Sequence, residues 1–158
     1  MNAPALFSSS PQRRASDPRA SVWVSAHAGS GKTHVLVDRV IRLMLSGTPA
    51  ARILCLTFTK AAAAEMNRRL FDRLGEWVTL SDSHLDERLS EIEADAITPE
   101  MRERARKLFT LALETPGGLK IQTIHAFSEG LLQLFPVEAG VIEEARVFSG
   151  KHRTRYIA

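Results

Sequence analysis

The residues best suited to chemistry are Gly29, Gly31, Lys32 and Thr33, gathered in one short loop. Glycines let a backbone turn its N–H groups inward and approach a polyphosphate closely. Lys32 would bring a point charge to the β- and γ-phosphates, and Thr33 a hydroxyl to Mg²⁺. Ala26, His27, Ala28 and Ser30 complete the loop, so residues 26–33 read as a site for ATP and Mg²⁺, with Thr33 the metal-facing residue. The usual pattern opens on Gly; here Ala26 stands first and is small enough for the same turn. The competing reading is a glycine-rich loop whose lysine is merely solvated. The setting argues against it, because a β-branched run precedes the loop and a helical pattern follows.

Other candidate groups carry less. Asp82, Asp86, Glu87, Glu91, Glu93 and Asp95 crowd the middle of the chain, but they do not recur with His84 at a ligand-like spacing. They read as an acidic, solvated helix face. Cys55 is the only cysteine; inside Ile53–Leu56 it is expected to be a core thiol. A net charge of +3, from 21 Lys+Arg against 18 Asp+Glu, is compatible with a nucleic-acid partner without requiring one. Aromatics at 6% argue against a single-strand binder built on many stacking platforms. No stretch approaches the roughly 18 apolar residues of a membrane span, and the N-terminus has no signal-like apolar region. A cytoplasmic location with no membrane partner is expected.

These residues need elements to position them. Val22-Trp23-Val24 predicts a short buried strand entering the loop, and Val35, Leu36, Val40, Leu43 and Met44 predict a helix ending at Gly47. Ile53 to Phe58 predicts a second strand. From Ala61 a helix follows, with Met66, Leu70 and Leu74 on one face and Trp77 nearby. This alternation opens a parallel α/β sheet. Residues 79 to about 116 then read as two charged helices inserted on the sheet, the second started by Thr98-Pro99-Glu100 and stopped by Gly117-Gly118. Lys120 to Ile124 restores a strand, and His125 to Phe135 a helix closed by Pro136. Residues 1–11 are expected to form a flexible leader, 12–140 one incomplete domain, and 141–158 a tail without a core face. No internal repeat is present.

Three stretches narrow the function. Ala26-x-Ala28-Gly29-Ser30-Gly31-Lys32-Thr33 resembles motif I of the UvrD-like superfamily 1 DNA helicases, where alanine is normal at the first position. Thr57-Phe58-Thr59 followed by Ala62, Ala63, Glu65 and Met66 resembles motif Ia, and Thr123-Ile124-His125-Ala126-Phe127 resembles motif Ic. All three stand in the family's order. The long charged insertion and the Ile-His-Ala-Phe wording are similar to the AddA branch of the AddAB helicase-nucleases, with RecB as a relative.

The resemblance implies a P-loop NTPase, RecA-like parallel sheet, here incomplete, and an ATP-dependent DNA helicase or translocase of double-strand break repair. It implies that Gln12, fourteen positions before Ala26, reads the adenine edge; an amide suits this by donating and accepting together. It also implies DNA contacts, to single-stranded or duplex DNA, from Thr57, Thr59, Lys60, Thr123, His125 and Phe127. Many family members carry Asn-Lys after Thr-Phe-Thr, so the base at Lys60 sits one position early. Phe58 ends an apolar strand and is expected in the core; for Phe127 core packing and DNA stacking stay open, as do capping and DNA contact for His125.

Hydrolysis in the family uses a motif II Asp-Glu pair holding Mg²⁺ and orienting water. No apolar strand ending in Asp-Glu follows residue 136; Ile142-Glu143-Glu144 is the nearest string. The expectation is therefore a fragment with no catalytic residue of its own, not competent to turn over ATP, without the family's nuclease, whose full-length form pairs with an AddB-type partner. Its tail is expected to reflect divergence or truncation. Two other readings stay open: a non-catalytic ATP- or DNA-binding module, and a P-loop kinase of a small metabolite. The kinase would leave motifs Ia and Ic unexplained.

Overall fold

Cys55 and Ile121 occupy one face of two short strands, and this alternation decides how the rest of the chain packs. Strand β1 (Leu54–Thr57) pairs in parallel with β2 (Lys120–Thr123), in the register Leu54↔Lys120, Cys55↔Ile121, Leu56↔Gln122, Thr57↔Thr123. Because strand side chains alternate, Cys55 and Ile121 turn toward the core while Leu54 and Leu56 stay 42% and 43% exposed on the other face. This computed structural model describes residues 11–25, 27, 29–92 and 96–135. Among them it is mostly helical: α1 (Pro11–Ala15), α2 (Lys32–Leu45), α3 (Lys60–Thr79), α4 (Asp82–Ile92), α5 (Pro99–Leu113) and α6 (Ile124–Leu134).

The predicted strand at Val22–Val24 is not formed. These residues are extended loop, with Trp23 93% exposed and both valines more than 40% exposed. β-propensity is realised only where a neighbouring edge accepts the backbone. Neither β1 nor β2 pairs with residues 22–24, although each keeps an open outer edge among the described residues. The sheet is thus two-stranded among the described residues. α1 also takes Pro11 and the start of the predicted domain into one helix; the remainder of the predicted leader and the tail lie outside the described residues.

The helices form where their apolar spacing predicts them. α3 buries Met66, Leu70, Leu74 and Trp77 on one stripe, as expected. α2 is rotated slightly from expectation: Val35, Val37, Val40, Ile41, Met44 and Leu45 are buried, but Leu36 is 50% exposed. Leu36 lies about 140° around the helix from Ile41, which is fully buried at the centre of that face. α5 starts as predicted, the Thr98 hydroxyl accepting from Met101 N at 3.2 Å with Pro99 in the first turn. Gly117 and Gly118 follow with φ of +76° and +73°, a left-handed pair that favours glycine and reverses the chain into β2.

The predicted insertion packs chiefly on α3 and α2. Leu85, Leu89 and Ile92 of α4 and Ala105, Leu108 and Ala112 of α5 share one core with Ile41, Leu70, Leu74 and Trp77. Each large apolar side chain fully buried there contributes about 1.5–3 kcal/mol. Phe71 and Phe109 meet edge to face, with centroids 6.0 Å apart. Arginines of α5 close the other helices: Arg104 donates to Leu45 O at 2.6 Å, and Arg106 to Leu80 O at 2.8 Å. Such donors satisfy carbonyls that a helix end leaves open.

Candidate nucleotide and nucleic-acid sites

Gly29 and Gly31 have φ of +79° and +85°, the left-handed conformation in which a side chain would be strained. No atom stands within 4 Å of a Cβ built at either position, so both face open space. Gly31 is the cap residue of α2 and has no side chain with which to accept from the amides of the first helical turn. The contrast with neighbouring helices is informative. Thr59 accepts from Ala62 N at 3.1 Å, Thr98 from Met101 N, and Thr123 from Ala126 N at 3.2 Å, so α3, α5 and α6 each start under a threonine. The α2 amides lack such a cap and present the positive helix end to the loop.

Within that loop His27 O gathers three donors. Ser30 N lies at 3.3 Å, Ser30 Oγ at 2.7 Å and Lys32 Nζ at 2.6 Å. The Lys32 ammonium is thereby held over the loop at an exposed position, and Thr33 is half-buried in the first turn of α2. Ala26 and Ala28 lie outside the described residues. Open amides, a positive charge and a hydroxyl within one turn fit a polyphosphate with its divalent cation.

Gln12 is exposed on α1. Its segment is fastened further along α2. Arg42 donates to Arg13 O and to Ser16 Oγ, both at 3.0 Å, and Arg39 to Asp17 O and Ala20 O, both at 2.6 Å. Arg42 stands ten residues past Lys32, about 15 Å along the helix axis. Arg13 in turn reaches Ser90 O and Glu91 O at the end of α4.

The strand ends assemble the second group. Thr57 and Thr123 are register partners, hence on the same face at the C-terminal end of the parallel pair. The Thr57 hydroxyl donates to Thr59 O at 3.0 Å. Thr59 and Thr123 use their oxygens as caps; Thr59 is exposed, which leaves its hydroxyl proton available to a further acceptor, whereas Thr123 is only 8% exposed. Lys60 and His125 are exposed in the first turns of α3 and α6, and Phe127 is half-buried. Phe58 overturns its predicted core role: it is 85% exposed. It lies one residue past the strand, on the connection into α3, where the alternating burial of β1 no longer applies.

The acidic block is not simply solvated. Asp86 accepts from Arg102 at 2.6 and 3.1 Å, Asp82 from Arg106 at 2.7 Å, and Glu91 from Arg88 at 3.3 Å. Glu93 and Asp95 lie outside the described residues. Among the described residues no group of three or more His, Cys, Asp or Glu side chains could hold a metal, and no helix is long and apolar enough to cross a membrane. Cys55 is half-buried, and burial raises its thiol pKa above the ordinary value.

Sequence reasoning missed Asp38, Arg39, Arg42 and Arg73. Asp38 and Arg42 are buried on the same stripe as Val35 and Leu45, and Arg73 forms an ion pair with Asp38. The signal was present: charges at positions 38 and 42 fall on the 3–4 spacing of the apolar face.

Comparison with known proteins agrees with this arrangement. The family model described as the UvrD/REP helicase N-terminal domain matches residues 8–157, a range that runs through the predicted tail. The A subunit of the ATP-dependent helicase/nuclease of Lactobacillus gasseri is 46% identical over 70 residues, 44% of this chain and 6% of that protein. The protein of the same name from Latilactobacillus sakei is 35% identical over 114 residues, 72% of this chain and 11% of its own length. That of Pediococcus pentosaceus is 33% identical over 113 residues, 72% and 8% respectively. The chain therefore spans about a tenth or less of the curated relatives it matches.

Proposed function

This chain belongs to the UvrD/REP helicase N-terminal domain family, and from that premise we propose that it is the ATP-binding part of a DNA-translocating motor with a P-loop NTPase, RecA-like core. The observation that carries the reading is the N-terminus of α2, open to an anion where α3, α5 and α6 are closed by threonines.

In this reading the amides of residues 29–33 receive the β- and γ-phosphates. Lys32 moves its ammonium from His27 O onto phosphate oxygen, and Thr33 presents its hydroxyl to Mg²⁺. When bound, MgATP supplies the phosphoanhydride whose cleavage drives a motor of this kind. Gln12 is assigned to the adenine. Its attachment beside Arg39 and Arg42 means that α1 must present the amide toward the base from the flank of α2.

At the strand ends, Thr59 donates its hydroxyl proton to a backbone phosphate of single-stranded DNA, with Lys60 and His125 beside it; Thr57, bonded to Thr59 O, and the buried Thr123 hold the turns that present them. The N-termini of α3 and α6 strengthen an anion-seeking edge. Phe58 adds a ring for base or sugar stacking that its exposure supports, and Phe127 supports the same edge from partial cover. Double-strand break repair, a cytoplasmic location and a protein partner for a longer form of the chain complete the proposal. The partner is inferred from the relatives' names, which make each of them one component of a helicase/nuclease.

Nucleotide binding by the 158-residue chain tests the central claim. A fluorescent ATP analogue with Mg²⁺ is expected to bind, and Lys32→Ala to weaken it about 10- to 150-fold, the equivalent of one charge-assisted contact. Equal binding by both proteins would remove the phosphate loop from the account. An oligothymidylate is expected to bind with an affinity that falls as salt rises. ATP turnover by this chain that Lys32→Ala abolishes would replace a binding segment with a complete catalyst.

A further inference from the structure

We infer that Asp38 and Arg73 are positioning residues that couple occupancy of the phosphate loop to the DNA-facing strand ends. The inference rests on the two sites proposed above and adds the connection between them. α2 starts at the phosphate loop and α3 starts at Thr59, so these two helices carry the two sites at their N-termini. Asp38 and Arg73 join them. The pair is an ion pair between side chains only 10% and 14% exposed. Little solvent reaches it, so salt screens it far less than a surface pair.

Its surroundings sharpen the assignment. The second carboxylate oxygen of Asp38 lies 3.5 Å from His34 Nε2, and His34 follows Thr33 directly. Asp38 is thus linked both to the first turn behind the loop and to α3. An open cleft of about 400 Å³ beside the pair is lined by His34, Arg69, Arg73, Glu76 and Arg88. The other charges on that wall are engaged within α3 and α4: Arg69 holds Glu65 at 2.6 Å, and Arg88 holds Glu76 at 3.1 Å. At this edge of the α2–α3 contact the ion pair stands beside the core that Val37 and Ile41 share with Leu70 and Leu74, so it spans the two helices together with that packing. A shift of α2 on phosphate binding would therefore be passed to α3 and to Thr57, Thr59 and Lys60 at its head.

The measurable quantity is a coupling ratio: the affinity of the 158-residue chain for a fluorescent Mg-ATP analogue with saturating oligothymidylate, divided by that without it. A ratio differing from unity about five-fold or more is expected for coupled sites. Replacing both charges, Asp38→Leu with Arg73→Met, removes the pair without stranding a buried charge. That variant should keep each separate affinity within about two-fold while its ratio falls to near unity; Arg73→Lys, which restores the charge, should recover most of the wild-type ratio. A second measurement needs no variant: hydrogen exchange with nucleotide alone should slow amides of α3 near Arg73 as well as those of α2. A double variant that keeps the wild-type ratio overturns the inference, as does a wild-type ratio of one or protection that stops within α2. Failure of the wild-type chain to bind nucleotide or DNA at all would instead sink the functional reading on which it stands.

Discussion

Glu65 shows how much a few neighbouring atoms decide. It follows the motif Ia threonines, where a carboxylate near a DNA strand would repel phosphate. Arg68 and Arg69, at the next two helical spacings, donate to it at 2.6 to 3.1 Å. Hydrogen bonds first from Arg68 and then from Arg69 lower its pKa from 4.5 to about 2. The folded value lies below the unfolded one. The contribution of these pairs to α3 is therefore present above pH 4.5 and is lost as pH falls from 4.5 through about 2. A side-chain NMR titration should find the Glu65 midpoint near the lower value, and Arg68→Gln with Arg69→Gln should return it toward 4.5. A wild-type midpoint already near 4.5 would mean that the arginines are not held on Glu65 in solution.

At the scale of the element, two substitutions separate local propensity from cap chemistry. Gly75 lies inside α3 with an ordinary helical backbone, and a Cβ there would meet Phe109 Cε2 at 3.5 Å, an ordinary contact. Gly75→Ala should therefore raise stability by about 0.5–1 kcal/mol, since glycine is costly in a helix interior. Thr98→Ala removes the α5 cap and should cost about 1 kcal/mol. Chemical denaturation measures both. A destabilised Gly75→Ala would show that the Phe71–Phe109 pair cannot yield even slightly. Neither change touches the phosphate loop, so nucleotide affinity should remain that of the parent.

Across the whole molecule, the charged block between the strands behaves as part of one core. Leu108 of α5 is 1% exposed and packs into the cluster that holds Leu70 and Trp77. Leu108→Ala should destabilise the chain by about 2–5 kcal/mol, and unfolding followed by Trp77 fluorescence in a Trp23→Phe background should coincide with unfolding followed by helical circular dichroism. Two separated transitions would mean that α4 and α5 form a unit of their own. The uncovered face of Leu54 and Leu56 and the exposed Val22–Val24 segment belong to this scale as well. They are apolar surfaces whose burial depends on partners that the described residues do not include.

What the sequence determined by itself was whatever a few adjacent residues settle. The glycine turn at Gly29 and Gly31, the cap at Thr98, the α3 stripe and the glycine stop at Gly117-Gly118 depend on backbone freedom, hydroxyl reach and helical period, all local quantities. Only the tertiary structure decided which apolar runs found partners. Val22–Val24 had strand chemistry but pairs with neither described strand, Leu36 fell off the buried stripe by one residue, and Phe58 lay past the end of β1. The ion pair of Asp38 and Arg73 joins residues 35 positions apart. Burial and pairing are properties of two surfaces brought together, and a linear reading supplies only one surface at a time.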